Sequence, residues 1–159
     1  MITVKTIVID NVPKIKEMSK AAKQIALIKI GLAAEGYAKR LVPTDTSRLK
    51  NSITFATHSH IQKGASPATP KDYTPRGQVD EDSVILGTNV EYAVYQELGT
   101  GIYASEGNGR KTPWWYQDDK GVWHKTSGTK PKHFIRDAMA SHTQEYKTLI
   151  ENTYKQFNP

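Results

Sequence analysis

From Val12 to Leu41 apolar residues return every three or four positions with hardly a break. That spacing is the signature of one continuous helix. Asp10-Asn11-Val12-Pro13 supplies a polar cap candidate and a proline near the first helical position, a good helix start. Pro43 ends the run, because the residue before a proline is pushed out of the α region. The stripe Ile15, Met18, Ala22, Ile25, Ile28 or Lys29, Leu32 and Gly36 is expected to face the core, with Leu27, Ile30, Ala33, Ala34, Ala38 and Leu41 widening it. A helix of about 29 residues would be roughly 43 Å long. That is long for one 159-residue domain, so part of its apolar face is expected to meet a partner subunit.

The remaining pattern is shorter and mostly β. Residues 2–9 are β-branched and read as a strand, as do Ser52 to His60 and Ser83 to Leu86. Arg48 to Asn51 make one helical turn, and Glu91 to Leu98 a short helix stopped by Gly99. Two aromatic runs, Trp114-Trp115-Tyr116-Gln117 and Val122-Trp123-His124-Lys125, flank Asp118-Asp119-Lys120-Gly121. That is a β-hairpin signal. Ile135, Ala138, Met139, His142, Tyr146, Leu149, Thr153 and Phe157 mark a C-terminal amphipathic helix. The fold expected is α+β: a long N-terminal and a C-terminal helix packed on a small, mainly antiparallel sheet, within one domain over 1–159. Loops at about 61–78 and 99–112, rich in Gly, Pro and small polar residues, are expected to order only on assembly.

Composition narrows the function. There is no cysteine, which removes disulfides, thiol nucleophiles and Cys-based metal sites. No secretion leader is expected from Met1-Ile2-Thr3-Val4-Lys5, and no stretch approaches the roughly 20 apolar residues of a membrane span. The charge is lopsided: residues 1–50 hold ten Lys/Arg against four Asp/Glu, whereas 51–159 hold twelve of each. A basic first third is open to two readings, a nucleic-acid surface or the solvated face of an amphipathic helix.

Catalytic signatures are missing: no phosphate-binding loop, no H-E-x-x-H helix, no G-x-S-x-G elbow. Asp80-Glu81-Asp82 could hold Mg²⁺ or be a solvated turn. His58 and His60 alternate on a predicted strand and so share a face, but no third ligand is placed. His142 reads as a packing residue; His124 and His133 have no readable role. Trp114, Trp115, Tyr116 and Trp123 are open to three uses: stacking on sugars or bases, anchoring an interface, or packing within the hairpin. No catalytic, cofactor-binding or metal-binding residue is assigned.

Three segments in order carry a family resemblance. Val42-Pro43-Thr44-Asp45-Thr46-Ser47-Arg48-Leu49-Lys50-Asn51-Ser52-Ile53 resembles a "V-P-x-D-T-G-x-L-x-x-S-I" block that follows a long helix. Gly87-Thr88-Asn89-Val90-Glu91-Tyr92-Ala93, then Glu97-Leu98-Gly99-Thr100, resembles "G-T-x-x-x-Y-A-x-x-x-E-x-G-T". Pro131-Lys132-His133-Phe134-Ile135-Arg136-Asp137-Ala138 is similar to "Q-P-x-P-F-L-x-P-A". Ser47 stands where the first block usually has glycine, and Asp137 where the third commonly has proline. Over about residues 13 to 155 the chain thus resembles the minor tail or neck components, also called head–tail connector or tail-completion proteins, of lambdoid and related siphophages.

The resemblance implies a non-enzymatic virion subunit without cofactor, made in the host cytoplasm and placed at the head–tail junction. It implies a homo-oligomeric ring contacting connector, head-completion and tail proteins, with packaged DNA as a further contact and no membrane. Neck, tail-terminator and minor-tail stations all remain open. Under this reading Asp45 and Thr46 cap the turn after the helix. Tyr92 and Ala93 pack the short helix, Glu97 holds the Gly99-Thr100 turn, and Phe134 anchors the last helix. The competing readings are a nucleic-acid-binding module using the basic N-terminal helix and a small metal-dependent nuclease or glycan-active enzyme.

Overall fold

The computed structural model describes residues 20–42, 47–60 and 79–157, together with the backbone of 2–5. The predicted helical turns before Lys20, the cap residues Pro43, Thr44, Asp45 and Thr46, and the loop at 61–78 lie outside the described residues. The chain divides into two compact units, Met1–Val90 with Phe134–Pro159, and Glu91–His133.

The first unit is built on a three-stranded antiparallel sheet. Strands β1 (Ile2–Lys5), β2 (Thr54–Thr57) and β3 (Val84–Thr88) lie in the order β1-β3-β2. Leu86 of the central strand pairs with Val4 on one side and Phe55 on the other. Every residue of β2 and β3 is buried, so both faces of the sheet are covered there. Alternation puts Phe55 and Leu86 on one face and Ala56 and Ile85 on the other, where the latter two cluster with Val79.

Helix α1 (Lys20–Leu41) lies against β2 and β3 and against the C-terminal helices. Its end at Leu41 is where the proline places it. Its buried face is not the predicted one. Ala22, Ala26, Leu27, Ile30, Gly31, Ala34 and Ala38 are buried, whereas Ile25 and Leu32 are 37% and 52% exposed and Ile28 is half-buried. Of the stripe expected to be core, Ala22 is buried but Ile25 and Leu32 face outward; of the widening residues, Leu27, Ile30, Ala34 and Ala38 join the core whereas Leu41 is exposed. Close approach explains the choice: a Cβ at Gly31 would lie 2.1 Å from the Phe55 ring. The glycine at this point, with Ala34 and Ala38 beyond it on the same side, lets the helix axis come this near the sheet.

Helix α2 (Ser47–Ser52) is the predicted turn, extended to take Ser52 out of the following strand. Beyond Thr57 the chain turns sharply, with the Thr57 N–H donating to the His60 carbonyl at 2.6 Å. The predicted C-terminal helix is two helices, α4 (Phe134–Ala140) and α5 (Thr143–Phe157). Thr143 Oγ1 donates to the Ala140 carbonyl at 2.9 Å, and the buried Tyr146 hydroxyl donates to the Ala138 carbonyl at 2.6 Å. These bonds satisfy carbonyls at the α4 terminus. No glycine or proline marks the break, so periodicity runs straight across it.

The second unit holds α3 (Ala93–Leu98), a 3-10 turn at Gly101–Tyr103, and the hairpin of β4 (Trp114–Gln117) and β5 (Trp123–Thr126). The 3-10 turn carries no sequence signal of its own and falls within the loop expected at about 99–112. Helices packed with small antiparallel sheets make the chain α+β.

Candidate functional site

The first two motif blocks meet in the core. Ser52 Oγ donates to the Leu49 carbonyl at 2.7 Å and lies 2.5 Å from Thr88 Oγ1. Thr88 Oγ1 in turn accepts from the Val90 N–H at 3.2 Å. Ser52, Thr88 and Ile53 are wholly inaccessible, and Leu49 nearly so. A buried hydroxyl without a partner costs on the order of 1–3 kcal/mol, and this relay leaves neither hydroxyl unpaired. It ties α2 to the end of β3, and the two blocks that carry it are 36 residues apart.

A second junction forms within 91–133. The Thr100 N–H donates to the Thr129 carbonyl at 2.9 Å, and Ile102 N–H to Ser127 at 3.0 Å. Thr129 N–H donates back to Thr100 Oγ1 at 2.9 Å. Lys132 and His133 N–H groups donate to the carbonyls of Gln96 and Glu97, and Glu97 itself is buried. Gly101 (φ +60°) and Gly128 (φ +124°) lie so close to the opposing backbone that a Cβ on either would stand 2.0 Å from a carbonyl oxygen, that of Ser127 for Gly101 and that of Thr100 for Gly128. These two positions require glycine. Thus the Gly99-Thr100 segment reads against the chain entering the Pro131 segment. Tyr92 and Pro131 are half-buried and Ala93 is fully buried. Phe134, opening α4, is also fully buried.

The hairpin has two unlike faces. Trp115 pairs with Lys125 and Gln117 with Trp123, so all four project to one side. All four are exposed, Trp115 by 61% and Trp123 by 62%. The other side carries Trp114, with the Arg110 guanidinium 5.6 Å from its ring centroid, and Tyr116 stacked on His124. At the tip, Asp118 Oδ1 accepts from the N–H groups of Lys120 and Val122, and its Oδ2 lies 2.8 Å from His124 Nε2. The hydrogen bond with His124 holds the Asp118 carboxyl below its ordinary range. His124, unread in the sequence, thus braces the turn.

Other candidate residues are not brought together. His58 Nδ1 lies 3.1 Å from the Val79 carbonyl oxygen, while His60 stacks on Phe55; the two imidazoles do not share a site. Glu81 pairs with Lys20 at 2.7 Å and Asp82 with Lys23, so the acidic turn meets the basic helix. Lys20 holds the Glu81 carboxyl below its usual range. Lys29 donates to Thr153 Oγ1, Lys39 pairs with Glu35, and Arg40 lies over the Tyr37 ring. Tyr37 donates to Glu145 and stacks face to face on His142 at 3.3 Å, a cluster that the sequence pattern did not reveal. The bond to Glu145 raises the Tyr37 pKa. Among the described residues no group of three His, Cys, Asp or Glu could hold a metal ion, and no helix is long and apolar enough to cross a membrane.

Comparison with known proteins agrees with the first two motif blocks. A family model described as "Bacteriophage HK97-gp10, putative tail-component" matches residues 8–99. That span contains the long helix, the Ser52–Thr88 junction and the start of the second unit. Neither the curated proteins nor the solved structures contain a match to this chain. With more than half of its length matched, the chain belongs to the HK97-gp10-like family of bacteriophage tail components.

Proposed function

We propose that this chain is a non-enzymatic structural subunit at the head–tail junction, assembling as a ring that joins or completes the tail. One observation supports this beyond family membership: the 91–133 unit fully buries no large apolar side chain. A lone two-stranded hairpin is at best marginally stable in water, and exposed aromatic patches of this kind mark interaction sites. The subunit completes its apolar packing on neighbours. The nucleic-acid reading gains no such support, because the described basic side chains of α1 already hold acids, hydroxyls or an aromatic ring.

The test is an electron-microscope count of particles from a phage lacking this gene. Filled heads and finished tails lying separate are expected. Over-long or ragged tails would move the subunit to tail termination. Normal infectious particles would overturn the proposal.

A further inference from the structure

We infer that residues 91–133 form a separately opening latch: a backbone clasp between the Leu98–Ser105 and Ser127–His133 segments holds the unit shut as one piece, and it releases while the first unit stays folded. The inference does not depend on the ring reading above.

Apolar burial is divided very unevenly. Among the described residues the buried hydrophobic side chains lie in the first unit, with Ala93 the one exception. Burial of apolar surface is the main term that offsets the cost of ordering a chain, and residues 91–133 have little of it. What holds them is polar. Thr100 and Thr129 bond in both directions, and the Ile102 N–H donates to the Ser127 carbonyl. Beside them the Ser105 N–H donates to the Leu98 carbonyl at 2.8 Å, and the Lys132 N–H to the Gln96 carbonyl at 2.8 Å. A third pass of chain closes on the clasp: a Cβ at Gly109 would stand 2.1 Å from the Gly101 carbonyl oxygen. Such hydrogen bonds each contribute little net stability, because water competes for both partners. The unit therefore opens at a smaller free-energy cost than the first unit.

The clasp makes that opening all-or-none. Thr100 and Thr129 are 29 residues apart, and the whole β4–β5 hairpin lies within the loop they close. A lone hairpin is at best marginal in water, so its ladder relies on the clasp to hold its two ends. Closed, the latch presents Trp115 and Trp123 on one exposed face; open, it does not. His133 ends the unit with φ +49°, the single non-glycine residue of positive φ among the described residues. A backbone of that kind is strained and is held by the bond from its N–H to the Glu97 carbonyl, so opening relieves it.

Native-state hydrogen exchange of the full chain, at rising urea below its unfolding midpoint, tests the latch. Seven amides are followed: Thr100, Ile102, Ser105, Thr129 and Lys132 in the clasp, and Asp118 and Gly121 in the hairpin turn, whose N–H groups donate to the Val122 and Asp118 carbonyls. They are expected to lose protection together, before the amides of α1 and β3. Thr100→Val removes the acceptor of the Thr129 N–H. It is expected to speed exchange at all seven by one common factor, about fivefold for one hydrogen bond, and to leave α1 unchanged. Gly128→Ala should leave all seven unprotected in a chain whose α1 amides stay protected. Amides that lose protection one by one, or a Thr100→Val effect confined to Thr129, would overturn the single piece. Exchange of the seven only together with α1 and β3 would overturn separate opening, as would a Gly128→Ala chain that unfolds throughout. A Gly128→Ala chain with unchanged exchange would overturn the clasp itself.

Discussion

At the residue scale the core is held by contacts that tolerate little change. Gly31 is one such position, because the Phe55 ring beside it is itself 1% exposed and has nowhere to move. Gly31→Ala is expected to cost about 1–3 kcal/mol by overpacking, read as a lower urea midpoint, with Phe55→Leu in the same chain recovering part of it. An unchanged midpoint would mean that the helix does not lie this close. Phe134→Ala should cost about 3–5 kcal/mol. For Ser52 and Thr88, a double-mutant cycle with Ser52→Ala and Thr88→Val is expected to show coupling of at least about 0.5 kcal/mol; additive losses would dissolve the junction. These residues stand in motif blocks, so their importance was readable. Their pairing was not, since nothing local in either block points to the other. Asp118 carries a pH consequence. Its folded pKa is lowered, so its contribution is present above the ordinary carboxylate range and is lost as pH falls through the folded value. Hairpin order, followed by Trp fluorescence, should weaken on acidification, and Asp118→Asn should flatten that response.

At the element scale the informative case is α1. Periodicity located the helix and its end, and the apolar positions run round much of its circumference. A pattern of that kind does not choose an inner face. The choice was made by what the sheet and the C-terminal helices can approach, which is the side lined by alanine and glycine. The contrast is measurable. Ile30→Ala, on the inaccessible face, should cost about 2–5 kcal/mol in the isolated subunit. Leu32→Ala, on the exposed face, should stay within about 0.5 kcal/mol. Equal losses would return the helix to the predicted orientation. The C-terminal break shows the same limit from another side. Met139, His142 and Tyr146 keep helical spacing across the gap between α4 and α5. The hydroxyl bonds that satisfy the α4 carbonyls are visible only once the chain is folded. The hairpin was legible because its signal is local: two aromatic runs and an Asp-to-Gly turn.

At the scale of the whole molecule, the uneven charge of the sequence becomes internal pairing. The excess cations of α1 meet the Asp80-Glu81-Asp82 turn, α5 and Tyr37, so DNA binding at physiological salt is expected to be weak. A titration of binding against salt checks this; a steep log–log slope would move the basic helix to a nucleic-acid surface. The sequence by itself determined the α+β class, the long helix, the hairpin and the phage family, because each rests on local periodicity, turn chemistry or motif order. Only the tertiary structure decided which side of α1 is core, that Ser52 and Thr88 share a buried hydroxyl relay, that the Gly99-Thr100 and Ser127–Thr129 segments interlock, and that Trp115 and Trp123 face outward. Those outcomes depend on how near two distant backbones can come and on which polar groups must then find partners, and neither is encoded within a single stretch of chain.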